Sequence, residues 1–317
     1  MLQKLALIGL LLLPMVMSVQ AQTQGTEPYD PPTCGQPSPV PLGELTEREI
    51  DINSLIRSYL IYVPTGYDPD VESPLVVSLH GFASNPMQQA FFTGWNDLGE
   101  RENVIIVYPQ GTGFPLRWAA GYDGVTDQVD DVSFIDGLIA FLFYDFCLDS
   151  SRVYVNGFSN GAGMTHRIAC EIPDRIAAVG MMSGAYPALD SACEAIYWAA
   201  PRTIPMIAFH GTADPIVPYE GGDFMDAGLP PVAAWADAWV ERNGCAADEP
   251  TETIGAVSGI RYTDCEGGAD VVLYTVEGGG HQWTGGGEAP GFIVGEMNRD
   301  VNATELMWEF FSAHPLN

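Results

Sequence analysis

The residues best suited to carry out chemistry centre on a serine between two glycines, in the segment Gly157-Phe158-Ser159-Asn160-Gly161. The pattern G-x-S-x-G, placed between a strand and a helix, forms a turn so sharp that the serine is lifted into an active site and only glycines fit beside it. The residues from Arg152 to Asn156 are typical of a strand, and those after Gly161 predict a helix. We therefore predict that Ser159 is a nucleophile. The alternative is a tight glycine turn with a structural serine.

A serine hydroxyl attacks an ester only when a base accepts its proton. The chain offers five histidines: His80, His166, His210, His281 and His314. His281 follows the glycines 278–280 after the last strong strand, where a flexible loop could carry a base over Ser159. His80 and His210 each precede a glycine at the end of a strand and predict structural roles in turns. His166 lies on the helix that follows Ser159 and predicts a packing or surface residue, so His281 is the predicted base.

The acid that orients this histidine must be chosen among 41 acidic residues. In a hydrolase with a G-x-S-x-G elbow the chain order is serine, acid, histidine, which limits the search to residues 160–280. Asp214 follows a predicted strand and lies in a loop stiffened by Pro215 and Pro218. We predict that Asp214 holds the imidazole and stabilises its protonated form. The alternative is an ordinary Asp-Pro turn.

Ester cleavage also needs hydrogen-bond donors for the oxyanion of the tetrahedral intermediate. One predicted donor is the backbone N–H of Asn160, the residue after the nucleophile. The second is expected from the loop of residues 80–85, where we choose Phe82.

Short apolar runs alternate with helical patterns along the chain. The predicted strands are 59–63, 75–79, 104–108, 153–155, 177–181, 205–209 and 271–276. The predicted helices are 87–101, 132–147, 161–170, 232–243 and 301–313. Several strands are apolar on both faces, as central parallel strands are. The pattern predicts an α/β fold with a mostly parallel central sheet and helices on both faces, in a single catalytic domain of residues 46–317.

The N-terminal segments and the net charge of the chain predict where the protein is located and which partners it does not bind. Lys4 followed by an apolar run and Val19-Gln20-Ala21 predicts a signal peptide over residues 1–21, because the run is too short for a membrane span. Residues 22–45 are rich in Pro, Gln and Thr and predict a flexible leader. A net charge of −29 opposes binding to nucleic acid or to an anionic membrane. We expect a secreted monomer.

Six cysteines in an exported chain favour disulfides. Cys245 and Cys265 are the predicted pair, because they bracket one short segment between a helix and a strand. Six cysteines allow 15 pairings, so the partners of Cys34, Cys147, Cys170 and Cys193 stay open. No C-x-x-C, H-E-x-x-H or paired-histidine spacing indicates a metal site, and we expect no metal or organic cofactor.

With these residues assembled, the chain resembles the secreted α/β-hydrolase esterases that include polyhydroxybutyrate depolymerases, feruloyl esterases and acetylxylan esterases (carbohydrate esterase family 1 and its bacterial relatives). The resemblance rests on segments that run in family order: Leu79-His80-Gly81, Tyr108-Pro109-Gln110-Gly111, Trp118, Asp130-Asp131-Val132, residues 157–161, residues 214–219 and Gly279-Gly280-His281-Gln282-Trp283. It implies the same triad and a substrate-binding role for Trp118 and Trp283. Ser133 and Thr284 depart from the family pattern, in which glycine and proline are usual.

The function expected from the residues and the resemblance is a serine carboxylic ester hydrolase that acts through an acyl-enzyme on an ester substrate. The favoured substrate is a feruloyl or related hydroxycinnamoyl ester on plant polysaccharide. The alternatives are a polyhydroxybutyrate or other polyester depolymerase and an acetylxylan esterase. A catalytically silent binding module and a metal-dependent hydrolase are remote alternatives, because the triad residues are present and metal motifs are missing.

Overall fold

A computed structural model gives the structure of the chain and describes residues 33–121, 129–186, 202–224 and 227–316. Its strands in chain order are β1 Leu45–Ile52, β2 Leu55–Tyr62, β3 Ser73–Leu79, β4 Ile105–Pro109, β5 Leu148–Phe158, β6 Ala178–Met182, β7 Met206–Gly211, β8 Gly222–Phe224, β9 Ala227–Leu229, β10 Ala247–Pro250, β11 Val257–Thr263 and β12 Val271–Val276. Ten of them form one sheet in the order β1-β2-β4-β3-β5-β6-β7-β12-β11-β10, while β8 and β9 form a separate pair.

The centre of this sheet is parallel and its two edges are antiparallel. The strands β4, β3, β5, β6, β7 and β12 pair in parallel. Antiparallel β2 and β1 extend one side, and antiparallel β11 and β10 extend the other. Parallel strands all end at the same edge of a sheet, so the loops after β3, β5, β7 and β12 meet there.

Helices cover both faces of the sheet. They are α1 Pro86–Thr93, α2 Trp95–Glu102, α3 Asp131–Asp145, α4 Asn160–Glu171, α5 Val232–Arg242, the short α6 Gly291–Val294 and α7 Ala303–Ala313. One apolar core contains α3, α4 and α5, and the second contains α1, α2 and α7. Strand β3 shows why both cores form: Leu75 and Val77 enter the first core and Val76 enters the second, since side chains alternate along a strand.

The predicted α/β fold is confirmed, and the architecture is that of the α/β-hydrolase fold. All seven predicted strands form. The prediction of one helix over 87–101 is wrong, because Gly94 adopts a left-handed conformation (φ 65°), closes α1 through its N–H to the Ala90 carbonyl and starts α2. Among the described residues no helix is long and apolar enough to cross a membrane.

The segment predicted as a flexible leader is packed against the domain from residue 33 onward. Cys34 forms a disulfide with Cys147, and the Thr33 N–H donates to the Phe143 carbonyl oxygen at 2.9 Å. Val40 is buried in the core, and β1 begins at Leu45. The prediction for residues 33–45 is therefore wrong, because a cross-link and a buried valine outweigh a composition typical of a linker. Residues 1–32 lie outside the described residues.

Two disulfides are described, one near the start of the described chain and one between α5 and β12. Besides Cys34–Cys147, the structure forms Cys245–Cys265, the pair favoured from the sequence. Cys170 is also disulfide-bonded, and Cys193 lies outside the described residues. Disulfides form and persist in oxidising compartments, which agrees with an extracellular location.

Candidate active site

Ser159 occupies a strained turn between β5 and α4. Its backbone has φ 55° and ψ −118°, a conformation that is costly for a residue with a side chain. The flanking glycines make the turn possible: a Cβ on Gly157 would lie 2.2 Å from the Gly161 carbonyl oxygen, and a Cβ on Gly161 would lie 2.3 Å from that of Leu79. The turn therefore has the geometry of a nucleophile elbow.

Asp214 and His281 form a buried hydrogen-bonded pair. The imidazole Nδ1 lies 2.7 Å from Oδ2 of Asp214, in the loop after β7. The other carboxylate oxygen, Oδ1, accepts the backbone N–H groups of Ile216 and Val217, both at 2.8 Å. Two donors fix one side of the carboxylate, so its other oxygen is aimed at His281. This arrangement is the one predicted for an orienting acid.

Ser159 and His281 lie in the wall of the same cavity, although the structure forms no hydrogen bond between them. Phe158, the residue before Ser159, packs against the base, since its ring centroid lies 4.9 Å from that of His281. In a site without substrate the serine–histidine hydrogen bond is often long and tightens only in the complex. The structure thus brings the three predicted triad residues to one site and forms the hydrogen bond expected between Asp214 and His281.

The loop expected to supply an oxyanion donor passes against Ser159. A Cβ on Gly81 would lie 3.4 Å from the Ser159 Cβ. The next residue, Phe82, lines the cavity, and its backbone N–H makes no hydrogen bond within the described ranges. Asn160 is the first residue of α4, and the first N–H groups of a helix are not used by the helix itself. The residues of both predicted donors therefore lie beside Ser159.

The other buried histidines do not compete for the role of base. In His80, Nε2 accepts the Gly111 N–H at 3.0 Å, so Nδ1 donates to the Gly81 carbonyl oxygen at 2.8 Å. Burial lowers the pKa of His80 to about 4. His210 donates from Nε2 to the Val217 carbonyl oxygen at 2.9 Å, and burial also lowers its pKa. Both side chains are neutral struts that hold turns at the catalytic edge of the sheet.

The cavity above Ser159 has a volume of about 400 Å³ and a largely apolar wall. The lining residues are Gly81, Phe82, Ser84, Gln88, Phe92, Phe158, Ser159, Ile216, His281, Gln282, Trp283, Gly287, Ala289 and Val294. Gln282 stitches one wall in place, because its Nε2 donates to the Gly295 carbonyl oxygen at 2.7 Å and its Oε1 accepts the Ala289 N–H at 2.9 Å. Such a cavity can hold a ring or an acyl chain with its ester at Ser159.

The two tryptophans expected to bind substrate have different roles in the structure. Trp283 lines the cavity and is anchored by its Nε1, which donates to Thr304 Oγ1 at 2.9 Å. Trp118 is fully buried and does not line the cavity, so the expectation that it binds substrate is wrong. Its Nε1 donates to the His80 carbonyl oxygen at 2.9 Å, and its N–H donates to Asn160 Oδ1 at 2.7 Å. Trp118 therefore links His80, at the start of the loop expected to supply an oxyanion donor, to Asn160 in the turn that carries Ser159.

A buried ion pair, missed from the sequence, supports this tie. Arg57 donates to Asp131 Oδ1 and to the Gln110 carbonyl oxygen, both at 2.9 Å. The second oxygen of Asp131 accepts the Ala119 N–H at 2.9 Å. The pair thus holds both ends of the segment that carries Trp118. The signal available in the sequence was Asp131, part of the family motif, whereas nothing marked Arg57, which sits within a strand.

The fold and this site define a class of enzyme, the carboxylic ester hydrolases of the α/β-hydrolase fold. Residues 57–220 match the family described as Esterase PHB depolymerase, and the chain belongs to that family. Feruloyl esterase C of Emericella nidulans is 28% identical over 286 residues, covering 89% of this chain and 91% of the relative.

Feruloyl esterase B of Piromyces equi is also 28% identical, over 71% of this chain, but the match spans only 42% of that protein's length. Among solved structures, acetyl xylan esterase from Aspergillus awamori superposes with a TM-score of 0.62 at 18% identity, covering 84% of this chain and 99% of the other. A likeness at this identity concerns the fold.

Proposed function

We propose that this esterase acts through an acyl-enzyme formed on Ser159. His281 accepts the proton of the hydroxyl as Ser159 attacks the ester carbonyl carbon, and then donates it to the departing alcohol oxygen. In deacylation, His281 accepts a proton from water as the water oxygen attacks the acyl carbon. His281 then donates that proton to the Ser159 oxygen as the acid leaves. The supporting observation is the Asp214–His281 hydrogen bond of 2.7 Å in the wall of the cavity that also contains Ser159.

The proposed substrate is a hydroxycinnamoyl ester, such as a feruloyl ester, on plant polysaccharide. An aromatic acyl group would bury its ring against Phe92, Phe158 and Trp283 in the cavity of about 400 Å³. An acetyl group would leave most of this volume unfilled, so the cavity favours a large acyl group over acetate. The relatives named feruloyl esterase support the same choice.

The test compares purified wild type with Ser159→Ala on methyl ferulate, p-nitrophenyl acetate and dispersed polyhydroxybutyrate. We expect wild type to show its highest kcat/KM on ferulate and the variant to lose at least about 10³-fold on each substrate it hydrolyses. A fluorophosphonate should label wild type and not the variant. Activity retained by Ser159→Ala would refute the nucleophile, and a ferulate rate no better than the acetate rate would refute the substrate.

A second candidate substrate, an aliphatic polyester, is favoured by apolar side chains exposed near the cavity mouth. Phe91 is 65% exposed next to Phe92 of the cavity wall, and Phe292 is 91% exposed on α6 between Ala289 and Val294. An apolar polymer surface would cover such side chains. Release of soluble hydroxyacids from the dispersed polymer without release of ferulate would identify this substrate instead.

A further inference from the structure

The polar side chains that line the cavity differ in how many of their donors and acceptors already form hydrogen bonds within the protein. Gln282 is engaged at both ends of its amide, and Ser159 and His281 are assigned to the reaction. The remaining polar side chains are Ser84 and Gln88, at the N-terminal end of α1. A ligand can bind those donors and acceptors of these two side chains that make no hydrogen bond within the protein.

The orientation of the Gln88 amide follows from the cap of α1. Asn85 is the N-cap, and its Oδ1 accepts the Gln88 backbone N–H at 3.0 Å. The Asn85 Nδ2 must therefore donate elsewhere, and it meets Gln88 Oε1 at 3.3 Å. The Ser84 hydroxyl donates to the same oxygen at 3.0 Å. The Asn85 NH₂ group can only donate, so a flipped Gln88 amide would set its own NH₂ group against it, whereas the Ser84 hydroxyl could adapt to either orientation.

This arrangement leaves the NH₂ group of Gln88 as a donor in a cavity whose wall is largely apolar. Gln88 Nε2 makes no hydrogen bond to any residue in the described parts of the chain. The Gln88 side chain is exposed, whereas Ser159 is only 7% exposed. A ligand whose ester lies at Ser159 and whose far end reaches Gln88 therefore meets apolar walls along its length and a hydrogen-bond donor at its end.

We propose that Gln88 determines specificity by donating a hydrogen bond from Nε2 to an oxygen on the aromatic ring of the acyl group. This proposal rests on the proposed function and extends it. A methoxy oxygen only accepts hydrogen bonds, while a phenol can donate or accept. Gln88 thus selects acyl groups that carry a ring methoxy or hydroxyl group over plain cinnamate.

The decisive variant is Gln88→Glu. A carboxylate keeps an oxygen for Ser84 and Asn85, and glutamate three residues after an N-cap completes a capping box, so α1 keeps its stability. The change replaces the donor with an acceptor and adds one negative charge, so a second, uncharged variant is needed beside it. Gln88→Met removes both and serves as the second variant. Met87→Gln is the matched control, since Met87 is exposed on the same helix and does not line the cavity.

The assay measures kcat/KM on methyl 3,4-dimethoxycinnamate and methyl cinnamate, which differ by two ring methoxy groups whose oxygens only accept hydrogen bonds. We expect the wild-type preference for the dimethoxy ester to fall about fivefold or more in Gln88→Glu and Gln88→Met, in line with the loss of one hydrogen bond. Rates on methyl cinnamate should stay within about twofold, and Met87→Gln should match wild type throughout.

Three outcomes would overturn the proposal, and they differ in what else they refute. Equal losses on both esters would mean that Gln88 only supports the fold. A change in preference among leaving alcohols, with the ring preference intact, would place Gln88 on the other side of the ester. Wild type that hydrolyses no cinnamoyl ester faster than p-nitrophenyl acetate would refute the proposed substrate as well.

Discussion

Replacing Asp214 with asparagine tests the triad most sharply, because the structure dictates how the amide must sit. Oδ1 accepts two backbone N–H groups, from Ile216 and Val217, both at 2.8 Å. An asparagine keeps its carbonyl oxygen there, since an NH₂ group would face two donors. Its NH₂ group then points at His281 Nδ1, which must become the acceptor.

The proton of His281 then resides on Nε2, and a nitrogen that carries a proton cannot accept one from Ser159. The same substitution in a serine protease triad lowers kcat about 10⁴-fold, which corresponds to about 5 kcal/mol of barrier. We expect a loss of that order for Asp214→Asn with a folded protein, because the side chain keeps its size and its two backbone contacts.

The assay is kcat on p-nitrophenyl acetate from pH 6 to 9.5, with Asp223→Asn as the control. Asp223 is an exposed carboxylate on β8, and its variant should keep wild-type rates. Fluorophosphonate labelling of Asp214→Asn should slow in parallel with kcat. If Asp214→Asn keeps more than about a tenth of the wild-type kcat while His281→Ala is inactive, another group orients the base and the reasoning fails.

Two further predictions follow from buried side chains. Trp118→Phe removes the indole N–H that donates to the His80 carbonyl oxygen and should lower kcat several-fold on every ester alike. Trp283→Phe should instead change the ratio of ferulate to acetate rates. A changed ratio in Trp118→Phe would contradict the buried role of Trp118. Burial lowers the pKa of His166 from 6.5 to about 3, with Arg242 adding to the effect. Between these values the unfolded chain binds the proton and the folded chain does not, so His166 costs about 2 kcal/mol of unfolding free energy on going from pH 7.5 to pH 5. The His166 ring packs against Trp239 and Tyr186, where a phenyl ring fits. His166→Phe should therefore remove the loss of unfolding free energy between pH 7.5 and pH 5, measured by urea unfolding at both values. A loss as large as in wild type would contradict the reasoning.

The central strands and the elbow could be predicted from the sequence because they are short-range patterns. Strand β3 is buried on both faces and appears as an unbroken apolar run, and the glycines at 157 and 161 answer a purely local steric need. The edge strands β1, β10 and β11 escaped prediction because they bury few side chains: β10 has no buried residue, and β1 and β11 have one each, so no apolar run marks them. The break at Gly94 escaped because a helical pattern continues on both sides of it.

The site residues show a different limit of sequence reasoning. Asp214 and His281 could be found because their roles impose a chain order and a loop after a strand. Trp118 was placed wrongly because a motif shows that a residue matters without showing which neighbour it serves. Gln88 carries no pattern at all. Its part in the site depends on the hydrogen bonds that Ser84 and Asn85 make to it, and these appear only in the folded chain.

Some motif residues lie outside the cavity, and some cavity residues belong to no motif, which has a consequence for specificity. Trp118 and Asp131, which carry the family motifs, are buried away from the cavity and, together with Arg57, brace the loop over Ser159. In the proposed mechanism they fix where the oxyanion donors stand, which every ester requires, and they do not line the cavity. Discrimination among esters must then come from the cavity wall, from side chains such as Phe92 and Gln88 that no motif contains. Relatives that share all the motifs are therefore free to differ in substrate, and exchange of wall residues should change the preferred acyl group while leaving the chemistry intact.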